Sequence, residues 1–318
     1  MQYKNIEDLA VILNNSGNYR VTKKYRRPEY YNTGGEDDKL IAVFLDIEAT
    51  GLSYTQDKLI ELGMVKFEYT EDGSIFRLLD DFSGYQDPGK PIPEYITKLT
   101  GIDDDTVRGK KIEEDAVAGY LQDVDLIIAH NAQFDRTFFE STFPSVPAKA
   151  WGCSMYDIDW SFEGISSHKL EYIAYKYGFF YEGHRAVIDC LAGIHILAQN
   201  LPNSQELVLK RLLSNALAIR FKIYATDSPY DSKELLKARG YRWSMNQNDK
   251  YRAWSIELTE NKVVEEISYL RSNIYGGSSI SIPVEIFDAY SRFSVNGKQL
   301  QGLLKHQEKL EWFQSLCL

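Results

Sequence analysis

The sequence predicts an α/β protein: a mixed sheet flanked by helices over residues 39–203, then a smaller α+β domain over 204–318. Three observations support this. An apolar run, Ile41 to Leu45, has the unalternated β-branched and aromatic character of a strand buried on both faces. Three strand-like stretches come first, and helices then alternate with strands, as in a mixed sheet. A break at "LPNS", 201–204, opens a second part in which a hairpin stands between helical stretches. With 318 residues and 44% apolar content, the chain has material for two hydrophobic cores.

Residues 1–38 read as an N-terminal helix, "NIEDLAVILN", followed by the basic run "TKKYRRP" and the linker "NTGGEDDK". The basic run reads as a contact for an anion or, in the preferred reading, as a solvated arm. Strands are expected at 41–48, 58–70 and 74–84, the last two joined by an Asp72–Gly73 turn into an antiparallel meander. "DPGKPIPEYITKLTGI" predicts a short helix with a glycine stop. Residues 112–122 suit a helix and 125–130 a strand, with helices again after 131, at 169–177 and at 185–199. Beyond 204 the order is helix 205–217, strand "RFKIYAT", helix "DSKELLKARG", a hairpin around "MNQND", and a helix from Thr259 to about Asn273. The C-terminal "LQGLLKHQEKLEWFQSL" is amphipathic.

The formal charge of -10 is uneven. Residues 1–200 hold 20 basic and 33 acidic groups, a net of -13, whereas 201–318 hold 16 and 13, a net of +3. An acidic first part is a poor non-specific grip on nucleic acid unless bound cations offset it; the second part is the better foothold. Cys153, Cys190 and Cys317 have neither a CxxC nor a metal-finger spacing, which predicts reduced or buried thiols and a cytoplasmic setting. No stretch approaches the ~20 apolar residues of a membrane span, and the N-terminus lacks the order of a secretion signal.

"FLDIEATGL", 44–52, carries the chemistry. Asp46 and Glu48 project on one face of the strand because side chains alternate. Two adjacent anions resist burial unless a cation or proton lies between them, and magnesium or manganese suit carboxylate oxygen. "AHNAQFDRTFF" puts Asp135 just past a strand end, where an α/β sheet presents functional groups. "GHRAVIDCLAG" supplies His184, expected on the loop before a helix, and Asp189 inside that helix. Each acid alone also has a structural reading: Asp135 as a helix cap, Asp189 as a first-turn acid favoured by the helix dipole.

In that order, "DIEATGL", "HNAQFD" and "HRAVID" resemble the DEDDh family of 3'-5' exonucleases, which includes the proofreading subunit of bacterial replicative polymerases. "KPIPEYITKLTGI" and "HKLEYIAYKYG" extend the likeness, which covers roughly residues 41–200; Ala49 departs from the family's commoner Thr. The resemblance implies an RNase H-like fold. It also implies that Asp46, Glu48, Asp135 and Asp189 hold two divalent ions, with His184 as the base, an imidazole whose ordinary pKa of about 6.5 suits proton transfer. Thr50, Gly51 and Leu52 would line the terminal nucleotide, and the product would be a nucleoside 5'-monophosphate. His130 and Asn131 either contact substrate or satisfy backbone groups at the strand end.

The leading expectation is a metal-dependent exonuclease acting on single-stranded or frayed DNA from the 3' end. A 3'-5' exoribonuclease is the alternative, since a metal site of this kind attacks either polymer, and a non-catalytic scaffold is a further one. A DNA polymerase is a possible partner. In 228–258, Lys233, Lys237, Arg239, Arg242 and Arg252 interleave with Tyr241, Trp243, Tyr251 and Trp254. That pattern fits either phosphate neutralisation and base stacking or a small domain's core with a charged coat.

Overall fold

The computed structural model describes residues 5–34, 38–243, 251–277, 281–294 and 303–317, with side chains of the last stretch described from residue 307. Helix α1 (Ile6–Asn15) begins at Asn5, whose side chain accepts the Asp8 N–H, the N-cap role that this residue type favours. Strand β1 (Lys23–Lys24) falls inside the basic run. Its lysines pair with Glu7 and Glu182, and Arg27 pairs with Asp81, so the stretch stays exposed but is tied down by ion pairs. Part of the expected linker, 35–37, lies outside the described residues.

The expected meander follows. β2 (Leu40–Ala49), β3 (Leu59–Tyr69) and β4 (Ile75–Tyr85) pair antiparallel, and Gly73 turns between the last two at φ +87°, which only glycine adopts freely. Helices α2 (Glu94–Thr100), closed by left-handed Gly101, α3 (Asp104–Val107) and α4 (Glu114–Tyr120) cross over to β5 (Leu126–Ala129). α5 (Ala132–Thr142) then leads to β6 (Ala150–Cys153). Short α6 (Leu170–Lys176) and β7 (Phe179–Phe180), which pairs parallel with β1, precede α7 (Ala186–Leu197) and α8 (Val208–Ala216).

Among the described residues the main sheet has five strands in the order β4-β3-β2-β5-β6, the first three antiparallel and β2, β5 and β6 parallel. This is the mixed, RNase H-like sheet that was expected, with β2 at its centre. Ala42, Val43, Phe44 and Leu45 of β2 have no exposed surface, consistent with their unalternated apolar run. β6 was not foreseen: "AWGC" is four residues long and contains a glycine. That glycine lets α8 close in, because a Cβ at Gly152 would lie 2.8 Å from the Leu212 side chain. All three cysteines are buried and free, in line with the buried-thiol expectation.

The chain divides into two compact units, Met1–Ala216 with Phe293–Val295 and Leu217–Arg292 with Asn296–Leu318. In the second, β8 (Arg220–Ala225), α9 (Lys233–Ala238), β9 (Arg242–Trp243), β10 (Trp254–Thr259), α10 (Glu260–Tyr269), β11 (Val284–Phe287) and α11 (Leu303–Cys317) follow in order. Its antiparallel sheet runs β11-β8-β10-β9, with Trp254 opposite Trp243 in the expected hairpin. The hairpin's turn, 244–250, lies outside the described residues. No helix among the described residues is long and apolar enough to cross a membrane.

Candidate active site

The site stands at the C-terminal end of β2. Asp46 and Glu48 share a face of that strand, opposite Gly63 and Glu61 of β3. Helix α7 packs against the same sheet, and two glycines make the approach possible. A Cβ on Gly63 would fall 2.5 Å from the backbone of Ala186 and Val187, and one on Gly193 would fall 2.2 Å from the Phe44 ring. The first turn of α7 carries Asp189. One carboxylate oxygen from each of Asp46, Glu48 and Asp189 can be chosen so that all three lie within 4.8 Å of one another.

Asp135 sits in the first turn of α5 and is 2% exposed. Its Oδ1 accepts the Ile47 N–H at 3.1 Å, so it is bonded to the residue between the two strand acids. It therefore borders the three-acid group without being one of its members, and its carboxylate reaches across to the sheet. Asn131, before α5, adopts φ 78°, ψ 53° and makes no side-chain cap.

Among the described residues, no lysine or arginine forms an ion pair with Asp46, Glu48, Asp135 or Asp189. Burial, then the neighbouring anions Asp189, Asp135, Glu48 and Glu61, holds Asp46 well above the usual carboxylate range. Burial with Asp189 and Glu61 lifts Glu48 to about 8, Arg185 working the other way. Burial raises Asp135 strongly too, against its own N–H and that of Ile47, and lifts Asp189 to about 6 against the Arg185 N–H, the Tyr181 hydroxyl and nearby His184. Acids gathered in this way are a poor resting arrangement for the protein alone and a good one for a hard divalent cation, which replaces the missing positive charge. The donor set is all carboxylate oxygen, matching magnesium or manganese.

His184 lies on the loop before α7, with φ +64° and a side chain 42% exposed, its Nε2 3.8 Å from Glu171 Oε1. The loop–helix division between His184 and Asp189 is the one expected.

The other expected contacts separate into two kinds. Thr50 is 1% exposed; its hydroxyl donates to Asp57 Oδ1 at 3.1 Å and accepts the Lys58 N–H at 3.1 Å, so its side chain closes the loop after β2. Gly51 makes room for the same carboxylate, since a Cβ there would fall 2.5 Å from Asp57 Oδ2. Leu52, by contrast, is 88% exposed, an apolar side chain held out by a braced loop. His130 is committed to the scaffold: Nδ1 is 2.9 Å from Ser154 Oγ and Nε2 is 2.6 Å from the His168 carbonyl oxygen. Burial lowers its pKa to about 4, so it stays neutral. For His130 the geometry favours the backbone-satisfying alternative.

Two residues escaped the sequence reading. Asp57 organises the 50–58 loop, also accepting from the Ser53 N–H and from Lys90 Nζ, and nothing in its local pattern singles it out. Glu61, 1% exposed, did leave a signal: it is an acid in the middle of the buried strand "LIELGMV".

Residues 43–197 match the model of an exonuclease family, RNase_T. Residues 43–197 are of the DEDDh 3'-5' exonuclease type. Relatives of this exonuclease domain include the DNA polymerase III PolC-type of Caldanaerobacter subterraneus subsp. tengcongensis, 31% identical over 178 residues, which are 53% of this chain and 12% of the relative. The PolC-type enzyme of Clostridium perfringens is 32% identical over 170 residues, 52% of this chain and 11% of the relative. The chain thus spans only a small fraction of the length of these polymerases. Among solved structures, E. coli Exonuclease I in complex with a dA16 oligonucleotide is 14% identical, covers 87% of this chain and 72% of that chain, and has a TM-score of 0.45. Exonucleases of this family generally use divalent metal ions, and the acidic group described above is present in the exonuclease domain.

Proposed function

We propose that the chain is a metal-dependent 3'-5' exonuclease that hydrolyses single-stranded or frayed DNA and releases nucleoside 5'-monophosphates. The observation that carries this reading is the gathering of Asp46, Glu48 and Asp189, with Asp135 beside them, none of them in an ion pair with a lysine or arginine among the described residues. Asp46, Glu48, Asp135 and Asp189 would hold two divalent ions, magnesium or manganese. Bound there, such ions supply Lewis acidity toward the phosphodiester and lower the pKa of water.

The chain's own residues do the rest. The carboxylates fix where the reacting phosphate sits, because β2 and the first turns of α5 and α7 are packed elements that hold their oxygens in place. The imidazole of His184, half-exposed on its loop, accepts the proton of the attacking water. Leu52 supplies an apolar surface for the terminal base, while Thr50 and Gly51 shape the loop beneath it, and Asn131 lies at the neighbouring strand end. DNA is favoured as substrate because the PolC-type relatives are DNA polymerases, and the same likeness makes a polymerase the favoured partner.

A magnesium time course on 5'-labelled DNA and RNA strands of one sequence, each with a free or a blocked 3' end, tests the reading. Stepwise shortening of free-ended DNA is the expected result. RNA shortened faster than DNA would transfer the assignment to an exoribonuclease, and equal loss of blocked and free ends would refute the polarity.

A further inference from the structure

We propose that Glu61 is a positioning residue for this reaction: it anchors the start of α7 and, through Arg185, the loop that presents His184 and Asp189. The inference rests on the nuclease reading above and concerns how its machinery is held. Register places Glu48 opposite Glu61 and Glu61 opposite Tyr85, so the three side chains form a row across β2, β3 and β4 on one face of the sheet. A carboxylate only 1% exposed must find donors within the protein. Two come from α7: its Oε2 accepts the Ala186 N–H at 3.2 Å, and its Oε1 accepts from Arg185 Nη2 at 3.3 Å.

Both donors belong to the beginning of α7. A helix leaves its first N–H groups without partners inside the helix, and here two of them are taken by acids. Ala186 N–H goes to Glu61, from the sheet; Arg185 N–H goes to Asp189 Oδ2 at 3.1 Å, in the helix's own first turn. The guanidinium of Arg185 is further held by donation to the Tyr85 hydroxyl at 2.6 Å. Arg185 is thus pinned at its backbone by Asp189 and at its side chain by Glu61 and Tyr85. His184 is the next residue back, in a left-handed conformation that a non-glycine residue keeps only when its surroundings enforce it. Glu61 is the sheet's hold on that turn. Both of its carboxylate oxygens are taken up by donors at the start of α7, so its part is to aim Asp189 and His184.

Glu61→Gln keeps the shape and one acceptor, and Glu61→Leu removes both bonds; Arg185, half-exposed, can be hydrated in either variant. Three measurements are made on the full chain: kcat and KM on a 3' single strand, Mn2+ affinity by calorimetry, and amide exchange resolved by segment. The expected result is kcat down about tenfold in Glu61→Gln and about a hundredfold in Glu61→Leu, with KM within about twofold and Mn2+ affinity down about tenfold. Exchange should quicken in 184–189 while β3 keeps its protection. Wild-type kcat and Mn2+ affinity in both variants would overturn the proposal, as would exchange that quickens uniformly, which marks a general loss of stability. Should Glu61→Leu not fold, Glu61→Gln decides by the same readouts. A wild-type protein that fails to cleave any 3' end refutes the nuclease reading instead, whereas an active wild type with indifferent variants refutes only the role of Glu61.

Discussion

Two regions of this molecule bury acidic side chains, and they do so in opposite ways. In the second unit, Glu266 is 4% exposed and answered: Arg239 Nε donates to it at 2.7 Å, the Tyr241 hydroxyl donates at 3.1 Å, and Arg239 lies 4.0 Å over the Tyr269 ring. In the exonuclease domain, the half-buried Asp46, Glu48 and Asp189 face one another and Asp135 has a backbone amide, and no lysine or arginine among the described residues forms an ion pair with any of the four. A buried charge with its counter-ion is architecture, because the pair is satisfied before any ligand arrives. Buried charges left to repel one another cost stability, and a fold that maintains them implies a missing partner.

The sharpest way to break this contrast is to neutralise one acid in each region. Asp46→Asn should cut exonuclease turnover by on the order of 10³-fold, read on a labelled 3' single strand, since the cations lose a ligand that positions the phosphate. The same change should leave the metal-free protein as stable as wild type or more so in thermal melts, because it removes repulsion. Full cleavage by Asp46→Asn would show that the acidic group is not the reaction centre. Glu266→Ala should do the reverse: turnover per folded molecule is kept, while the second unit loses about 2 kcal/mol in denaturant unfolding, since Arg239 and Tyr241 lose their acceptor.

The same contrast explains what could be read in advance. The meander, α7 and the acids were legible because β2 is an apolar run that stops at "DIE", and because "HRAVID" places a loop histidine ahead of a helical acid. β6 was not legible, since four residues with a central glycine carry no periodic signal and are a strand only because β5 and α8 close on them. β11 escaped for a similar reason: Val284–Phe287 is short and becomes a strand by pairing with β8. The basic–aromatic stretch of the second unit was ambiguous because its pattern cannot say where the charges go. In the structure Arg239 and Tyr241 serve Glu266, Lys237 pairs with Glu234, and Trp243 packs on Trp254 at 5.6 Å. Trp243 nevertheless stays 49% exposed, so these partners leave both readings of the stretch standing. Glu61 shows the converse limit: one acid in an apolar strand was visible, but its partners, more than a hundred residues on, were not.

A pH series sharpens the comparison further. Burial and neighbouring anions raise Glu48 to about 8 in the folded chain from the ordinary 4.5. A raised carboxylate means that the folded state holds a proton which the unfolded state has released. The contribution is fully present below about 4.5 and is lost as pH climbs through about 8. Metal-free protein should therefore melt lower at pH 8 than at pH 5.5, and Glu48→Gln should flatten that part of the slope. Saturating Mg2+ should narrow it as well, because the cation takes the place of the proton and stabilises the folded state by binding it. An unchanged pH slope in Glu48→Gln would mean that the carboxylate is already balanced at rest.

The smallest effect belongs to a residue that touches neither kind of buried charge. Leu52 is 88% exposed on a loop braced by Thr50, Gly51 and Asp57, so its side chain contributes almost nothing to the fold. Leu52→Ala should leave melting unchanged and raise KM for a 3' single strand about three- to tenfold, the worth of roughly one lost apolar contact of about 1 kcal/mol with a base. Asp57→Asn makes the complementary test, because it loosens the brace while keeping Leu52. If apolar contact matters only when the loop is held in place, Asp57→Asn should raise KM at least as far as Leu52→Ala, and the double variant should add little more. Additive losses would instead separate the loop's bracing from the contact made by its exposed leucine.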